Sequence, residues 1–142
     1  MISDALVNPL GKKLKNFHYF DTSLNIKDCL KKYGDELKKN KNFDLTILGI
    51  GPDGHTASLF PNSKALTTKK LVANTQTKVF TVKQRLTITF PVILKSKNIL
   101  VLLKGKDKKE TLDKLLNSKI SYLKFPAKKL LRHKNLYIYF YK

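Results

Sequence analysis

Asp53 and His55 stand two residues apart in Gly51-Pro52-Asp53-Gly54-His55-Thr56, directly after an apolar run over residues 45–50. Histidine titrates near neutrality and is the commonest general base. A carboxylate two positions away can orient its ring, or can simply cap a following helix. A lone histidine is more often a hydrogen-bonded scaffold residue than a catalyst, and His18 and His133 are read that way. His55 differs in setting, with glycines around it and Thr56 and Ser58 beside it. If a helix opens at this turn, its first amides favour anions and developing oxyanions. The pattern suits base-assisted chemistry on a small substrate.

Gly49, Gly51 and Gly54 also match G-x-G-x-x-G after a strand, the dinucleotide fingerprint. That reading fits poorly, because it needs an acidic residue about 20 positions on to hold a ribose. No Asp or Glu occurs between Gly54 and Lys106. A lysine at 69 or 70 could meet an NADP phosphate instead, yet Pro52-Asp53-Gly54 makes a rigid turn rather than a smooth phosphate cradle. No Gly-Lys-Ser/Thr follows, which excludes a Walker loop. The same acid-free stretch, residues 55–106, holds ten basic residues. Arg85 in "KQRLTITFP" offers a bidentate clamp for a phosphate ester. Lys108, three after Gly105, offers a point charge. From pattern alone, surface charge is an equal reading for both.

The elements that must position these residues follow from periodicity. "MISDALV" reads as a short helix broken by Asn8-Pro9 and Gly11, and residues 16–20, "NFHYF", as a short strand. Asp21-Thr22-Ser23 offers N-cap chemistry to a helix over 24–39, with Leu24, Ile26, Leu30, Tyr33 and Leu37 on one face. "FDLTILGI" alternates little, as expected of a strand buried on both faces of a parallel sheet. Residues 55–60 can form one or two helical turns stopped by Pro61, and 62–78 read as loop. "KVFTV" and "RLTITF" are β-rich, and Pro91 can open a helix through residue 95. "NILVLLKG" is a second buried strand, and 106–117 a helix with Leu112, Leu115 and Leu116 inward. "PAKKLL" is a further helical turn, and "NLYIYFY" a closing strand. Strands alternating with helices give an α/β sheet, Rossmann-like and mostly parallel, flanked by helices. Ligands are expected beyond the carboxyl ends of its strands, where "LGIGPDGH" and "LLKGKDKKE" both fall.

The chain has 142 residues, 42% of them hydrophobic, which fits one domain with a real core. Its formal charge is +19, and of its 29 basic residues only Arg85 and Arg132 are arginine. Base readers favour arginine's planar fork, so scattered lysines point to a solvated surface rather than to nucleic acid. No apolar run approaches the ~18–20 residues of a membrane span, and no signal peptide is visible. Cys29 is the single cysteine, which excludes an internal disulfide and any multi-cysteine zinc site. A cytoplasmic protein is the simplest expectation.

"LGIGPDGHTASLFP" resembles the characteristic loop of 6-phosphogluconolactonases. "RLTITFPVI", "LLKGKDKKETL" and "FPAKKLL…NLYIYF" are similar to three later segments of that family, in the same order, over about residues 43–141. The related glucosamine-6-phosphate deaminase/isomerase branch shares the GxGxDGH core. It continues with a glutamate-bearing run, where this chain has Thr56-Ala57-Ser58-Leu59-Phe60-Pro61; the lactonase branch is favoured. The resemblance implies hydrolysis of 6-phospho-D-glucono-1,5-lactone to 6-phosphogluconate without metal or cofactor. His55 would be the general base and Asp53 its support. Gly49, Gly51 and Gly54 would form the substrate loop, and Arg85 and Lys108 would hold the phosphate. The family's N-terminal Gly-Gly-Ser/Thr-x-Pro loop and Asp-Glu-Arg segment have no counterpart here. The expectation is therefore a single lactonase/isomerase-like domain over 1–142 that lacks the family's N-terminal strands, working alone, as a homo-oligomer or with a complementing chain.

Overall fold

The computed structural model describes residues 3–11, 14, 16–40 and 42–141. In chain order the elements are helical turns over Ser3–Val7 and α1 (Asn8–Leu10), α2 (Ile26–Lys39), β1 (Leu45–Leu48), β2 (Val72–Gln76), β3 (Gln84–Ile88), α3 (Phe90–Ile93), β4 (Asn98–Lys104), α4 (Lys108–Asn117), a 3-10 segment (Pro126–Arg132) and β5 (Leu136–Tyr141). β1, β4 and β5 form a parallel sheet in the order β1-β4-β5, with Ile47 opposite Leu100 and Leu100 opposite Tyr137. β2 and β3 form a separate antiparallel hairpin. The α/β class expected from the sequence is the one observed.

The core lies on one face of the parallel sheet. Leu48, Ile99, Val101 and Leu103 point into it and meet Leu59, Phe90, Ile93, Leu115 and Leu130. Alternation along β1, β4 and β5 sends the intervening residues to the other face, where they are exposed or, as Asn98 and Leu100, half-buried. β1 therefore corrects the reading of a strand buried on both faces. Its buried positions are Thr46 and Leu48, whereas Leu45 and Ile47 face outward. Thr46 is tolerated inside because its hydroxyl meets the Ser96 hydroxyl at 2.6 Å, and a satisfied hydroxyl costs little when buried.

Several local expectations change for identifiable reasons. The N-terminal helix is not broken at Asn8-Pro9. Proline sits in the first turn of α1, where its missing N–H costs nothing, and Gly11 at φ +47° ends the segment; Met1 and Ile2 lie outside the described residues. Residues 16–20 are not a strand. Phe17 and Tyr19 are exposed and pack on each other at 5.4 Å, with no strand beside them among the described residues. The cap of α2 is Asn25, whose side chain accepts from the Asp28 amide at 3.0 Å. Asp21 instead accepts from the Ser23 hydroxyl and from Lys32. Cys29 is buried on α2, and burial pushes its thiol pKa up. Gly34 faces Val72 of β2, where an added Cβ would lie 3.4 Å from the valine methyl.

The hairpin is displaced toward the N-terminus of the β-rich stretch. "VANTQ" is β2 although it falls in the stretch read as loop, and "KVFTV" is the loop, with Val79 81% exposed. α3 stops at Ile93. In α4, Leu115 is fully buried and Leu112 packs against the core, while Leu116 faces solvent. No helix among the described residues is long and apolar enough to cross a membrane.

Candidate active site

β1 ends at Leu48, and the chain passes through Gly49 and Ile50 into the turn at 51–55. The Gly51 amide donates to the His55 carbonyl and the Gly54 amide to the Gly51 carbonyl, both at 2.9 Å. These two amides are thus committed inside the turn. Their glycines shape it rather than offer free donors to an oxyanion. Gly51 is required by contact, because a Cβ there would lie 2.1 Å from the His55 ring. Gly54 has φ +80°, and its missing Cβ would strike the buried Phe125 ring at 2.4 Å.

Of the two roles that spacing alone left open, Asp53 takes the orienting one, for no helix follows to be capped. Its Oδ1 accepts the His55 backbone N–H at 3.1 Å and meets His55 Nδ1 at 2.6 Å. A proton on Nδ1 donated to this carboxylate leaves Nε2 as the basic lone pair of the neutral ring. The imidazole is 17% exposed, with Phe60 at 4.9 Å and Phe80 edge-on at 5.6 Å. One ring nitrogen is therefore anchored while the ring keeps limited access to solvent.

No helix follows His55, contrary to the one or two turns expected over 55–60. Thr56 and Leu59 form an isolated bridge, and Ala57 has φ +50°. Side-chain bonds replace the helical ones. Thr56 Oγ1 donates to the Gly49 carbonyl, the Ser58 amide donates to Thr87 Oγ1, and Thr75 Oγ1 donates to the Ser58 carbonyl. The two Ser58 bonds tie the turn to the β2-β3 hairpin, and a helix macrodipole plays no part at His55.

A cleft beyond the carboxyl ends of β1 and β4 is lined by Gly49, Gly51, Pro52, His55, Ala57, Phe80 and Lys108, with Ile47 and Leu102 of the sheet at its margin. Lys108 opens α4 and its Nζ donates to the Ile50 carbonyl at 3.3 Å. Arg85 is not in this lining. It lies behind Phe80, its guanidinium 5.3 Å from the ring centroid. Arg85 Nε is enclosed and makes no hydrogen bond with the described residues. Phe80 thus connects His55 and Arg85, and sequence reasoning missed it by placing it in a strand. The one available signal was "KVFTVK", apolar residues between lysines with no alternating partner.

His18 and His133 behave as scaffold residues. His18 pairs with Glu36 at the surface, and His133 bonds the Ser96 carbonyl at 2.8 Å and accepts from the Asn135 amide. No group of three or more His, Cys, Asp or Glu that could hold a metal ion occurs among the described residues.

The fold and the site define an α/β protein whose Asp-His pair stands on a glycine turn beyond the ends of a parallel sheet. Residues 1–138 match the family model described as glucosamine-6-phosphate isomerases/6-phosphogluconolactonase, and the chain belongs to that family. A probable 6-phosphogluconolactonase of Dictyostelium discoideum is 35% identical over 127 residues, which are 84% of this chain and 54% of the relative. The 6-phosphogluconolactonase of Thermotoga maritima is 39% identical over 102 residues, 71% of this chain and 46% of its own length. A solved structure of a Thermotoga maritima 6-phosphogluconolactonase superposes with a TM-score of 0.81 at 34% identity, covering 99% of this chain and 62% of that one. A monomeric glucosamine-6-phosphate deaminase gives a TM-score of 0.67 at 26% identity, over 83% of this chain and 53% of that one. The chain spans about half the length of the curated relatives it matches.

Proposed function

We propose that this chain carries the hydrolytic centre of a 6-phosphogluconolactonase. His55 Nε2 takes a proton from a water molecule as that water's oxygen attacks the lactone carbonyl. The tetrahedral adduct collapses by breaking the bond to the ring oxygen, which leaves with a proton and gives 6-phosphogluconate. Asp53 holds the ring tautomer and steadies the imidazolium formed in the first step. Gly49, Gly51 and Gly54 shape the turn. Lys108 in the cleft wall and Arg85 behind Phe80 supply positive charge for the phosphate.

The observation that carries this reading is the 2.6 Å contact of Asp53 with Nδ1, which leaves Nε2 for chemistry. Identity to lactonases of 35–39% supports the substrate class. Residues 1–142 are read as one lactonase-like domain acting on a phosphorylated lactone in the cytoplasm.

Acid release on adding freshly generated lactone, corrected for spontaneous hydrolysis, tests the proposal. Wild-type protein is expected to accelerate it and His55→Ala to abolish the acceleration. Equal rates for the two proteins would overturn the reading. Ammonia release from glucosamine 6-phosphate would favour the deaminase branch instead, and salt-sensitive DNA binding a basic module.

A further inference from the structure

Phe80 touches both halves of the candidate site. Its ring meets His55 edge-on at 5.6 Å and Phe60 at 6.1 Å, and the Arg85 guanidinium packs over it at 5.3 Å. The ring lines the cleft beside His55, whereas Arg85 does not. A guanidinium is attracted to an aromatic face, but the contact leaves Arg85 Nε enclosed without a hydrogen bond to any described residue. The ring itself is lightly held. The hairpin ladder ends at Gln76 opposite Gln84, and the Thr77 amide closes the loop beyond it by donating to the Lys83 carbonyl at 2.9 Å. Val79 and Val82 of that loop are exposed, and Phe80 is 37% exposed. Ring contacts, rather than ladder bonds, keep Phe80 over Arg85.

We propose that Phe80 sets the selectivity of the site for phosphorylated ligands, covering Arg85 until a phosphate group displaces the ring and takes the guanidinium in its place. That the ligand is a phosphorylated sugar rests on the lactonase reading; the cover itself rests on the ring contacts. The exchange favours the anion. A phosphate held side-on by Nε and one terminal nitrogen makes two charge-assisted hydrogen bonds and satisfies the idle Nε, whereas the ring at a partly exposed position offers one cation–π contact. A sugar without a phosphate has no anion to exchange and leaves the ring where it is. The same ring lies against His55, whose imidazole is 17% exposed, so its departure also uncovers the base. Lys108 lines the cleft directly and meets the anion without this condition. Capture of the phosphate at Arg85 thereby opens His55 to the reacting end of the ligand.

The test titrates 6-phosphogluconate into the wild-type chain, with gluconate as the partner that lacks the phosphate. By NMR, the Overhauser contact between the Phe80 and His55 rings is expected to vanish at saturating 6-phosphogluconate and to persist at the same concentration of gluconate. Phe80→Ala removes the cover, so no ring has to move, and calorimetry should show 6-phosphogluconate binding about fivefold tighter, the worth of one cation–π contact. In an Arg85→Ala background the same substitution should change that affinity by less than about twofold. Overturning results are a ring contact that survives saturation, a Phe80→Ala protein that binds 6-phosphogluconate no tighter, an equal gain in both backgrounds, or no binding by either protein. Lactone hydrolysis is read separately. The expected binding results without any acceleration of hydrolysis sink the lactonase reading and leave the cover standing; acceleration with a surviving ring contact does the reverse.

Discussion

Leu102 and Leu103 are neighbours in β4, yet one is 44% exposed and the other 1%. The same contrast repeats between Ile47 and Leu48 and between Tyr139 and Phe140. Both faces of the sheet are apolar, so hydrophobicity does not separate them. What separates them is whether the chain supplies a covering layer: α4, the 3-10 segment and residues 59–66 for one face, nothing among the described residues for the other. Apolar residues on the covered face stabilise the fold, and those on the other face are left exposed by the described residues.

That contrast can be broken first at Leu103. Leu103→Ala should lower stability by about 2–5 kcal/mol, the range for a core leucine that leaves a cavity, measured by urea denaturation. A cost below that of surface changes would mean the covered face is not the core. Gly54→Ala comes next, at about 2–3 kcal/mol, because it adds strain at positive φ and a clash with Phe125. Activity should fall with it, since the turn carries His55. Leu102→Ala, one residue from Leu103, should move stability by no more than about 0.5 kcal/mol; a large loss would show the open face already covered in solution. The smallest effect is expected away from the sheet, at Asp21. The Ser23 hydroxyl, then Lys32, hold its carboxyl below the ordinary value of 3.8. A depressed folded-state pKa gives stability that is full above 3.8 and lost as pH falls through the folded value. Asp21→Asn should therefore be slightly less stable near neutrality and converge with wild type in acid, as followed by thermal melts across pH.

Much of the site was readable because it is local. The glycines, Asp53 and His55 fall within a few residues, and spacing alone placed a carboxylate beside an imidazole. Lys108 was legible from the Gly105 turn at the end of an unmistakable strand. What failed depended on distant partners. Residues 55–60 look helical until Thr56 bonds Gly49 and Ser58 bonds Thr87. "VANTQ" has too few strand formers to compete with "KVFTV", yet pairing with β3 chose the former. β1 reads as doubly buried because Leu45 and Ile47 are as apolar as a covered strand, and composition cannot reveal that none of the described residues forms a layer over them.

Asp53 grips both the backbone and the ring of His55 with one oxygen atom. In the proposed reading the aim of His55 is thus encoded within three consecutive residues, whereas Lys108 in the cleft wall and Arg85 behind Phe80 are placed only when α4 and the hairpin are docked. Loosening the fold by mild denaturant should dismantle substrate capture before it disorients the imidazole. Affinity for the phosphate would fade first, and turnover at saturation would outlast it.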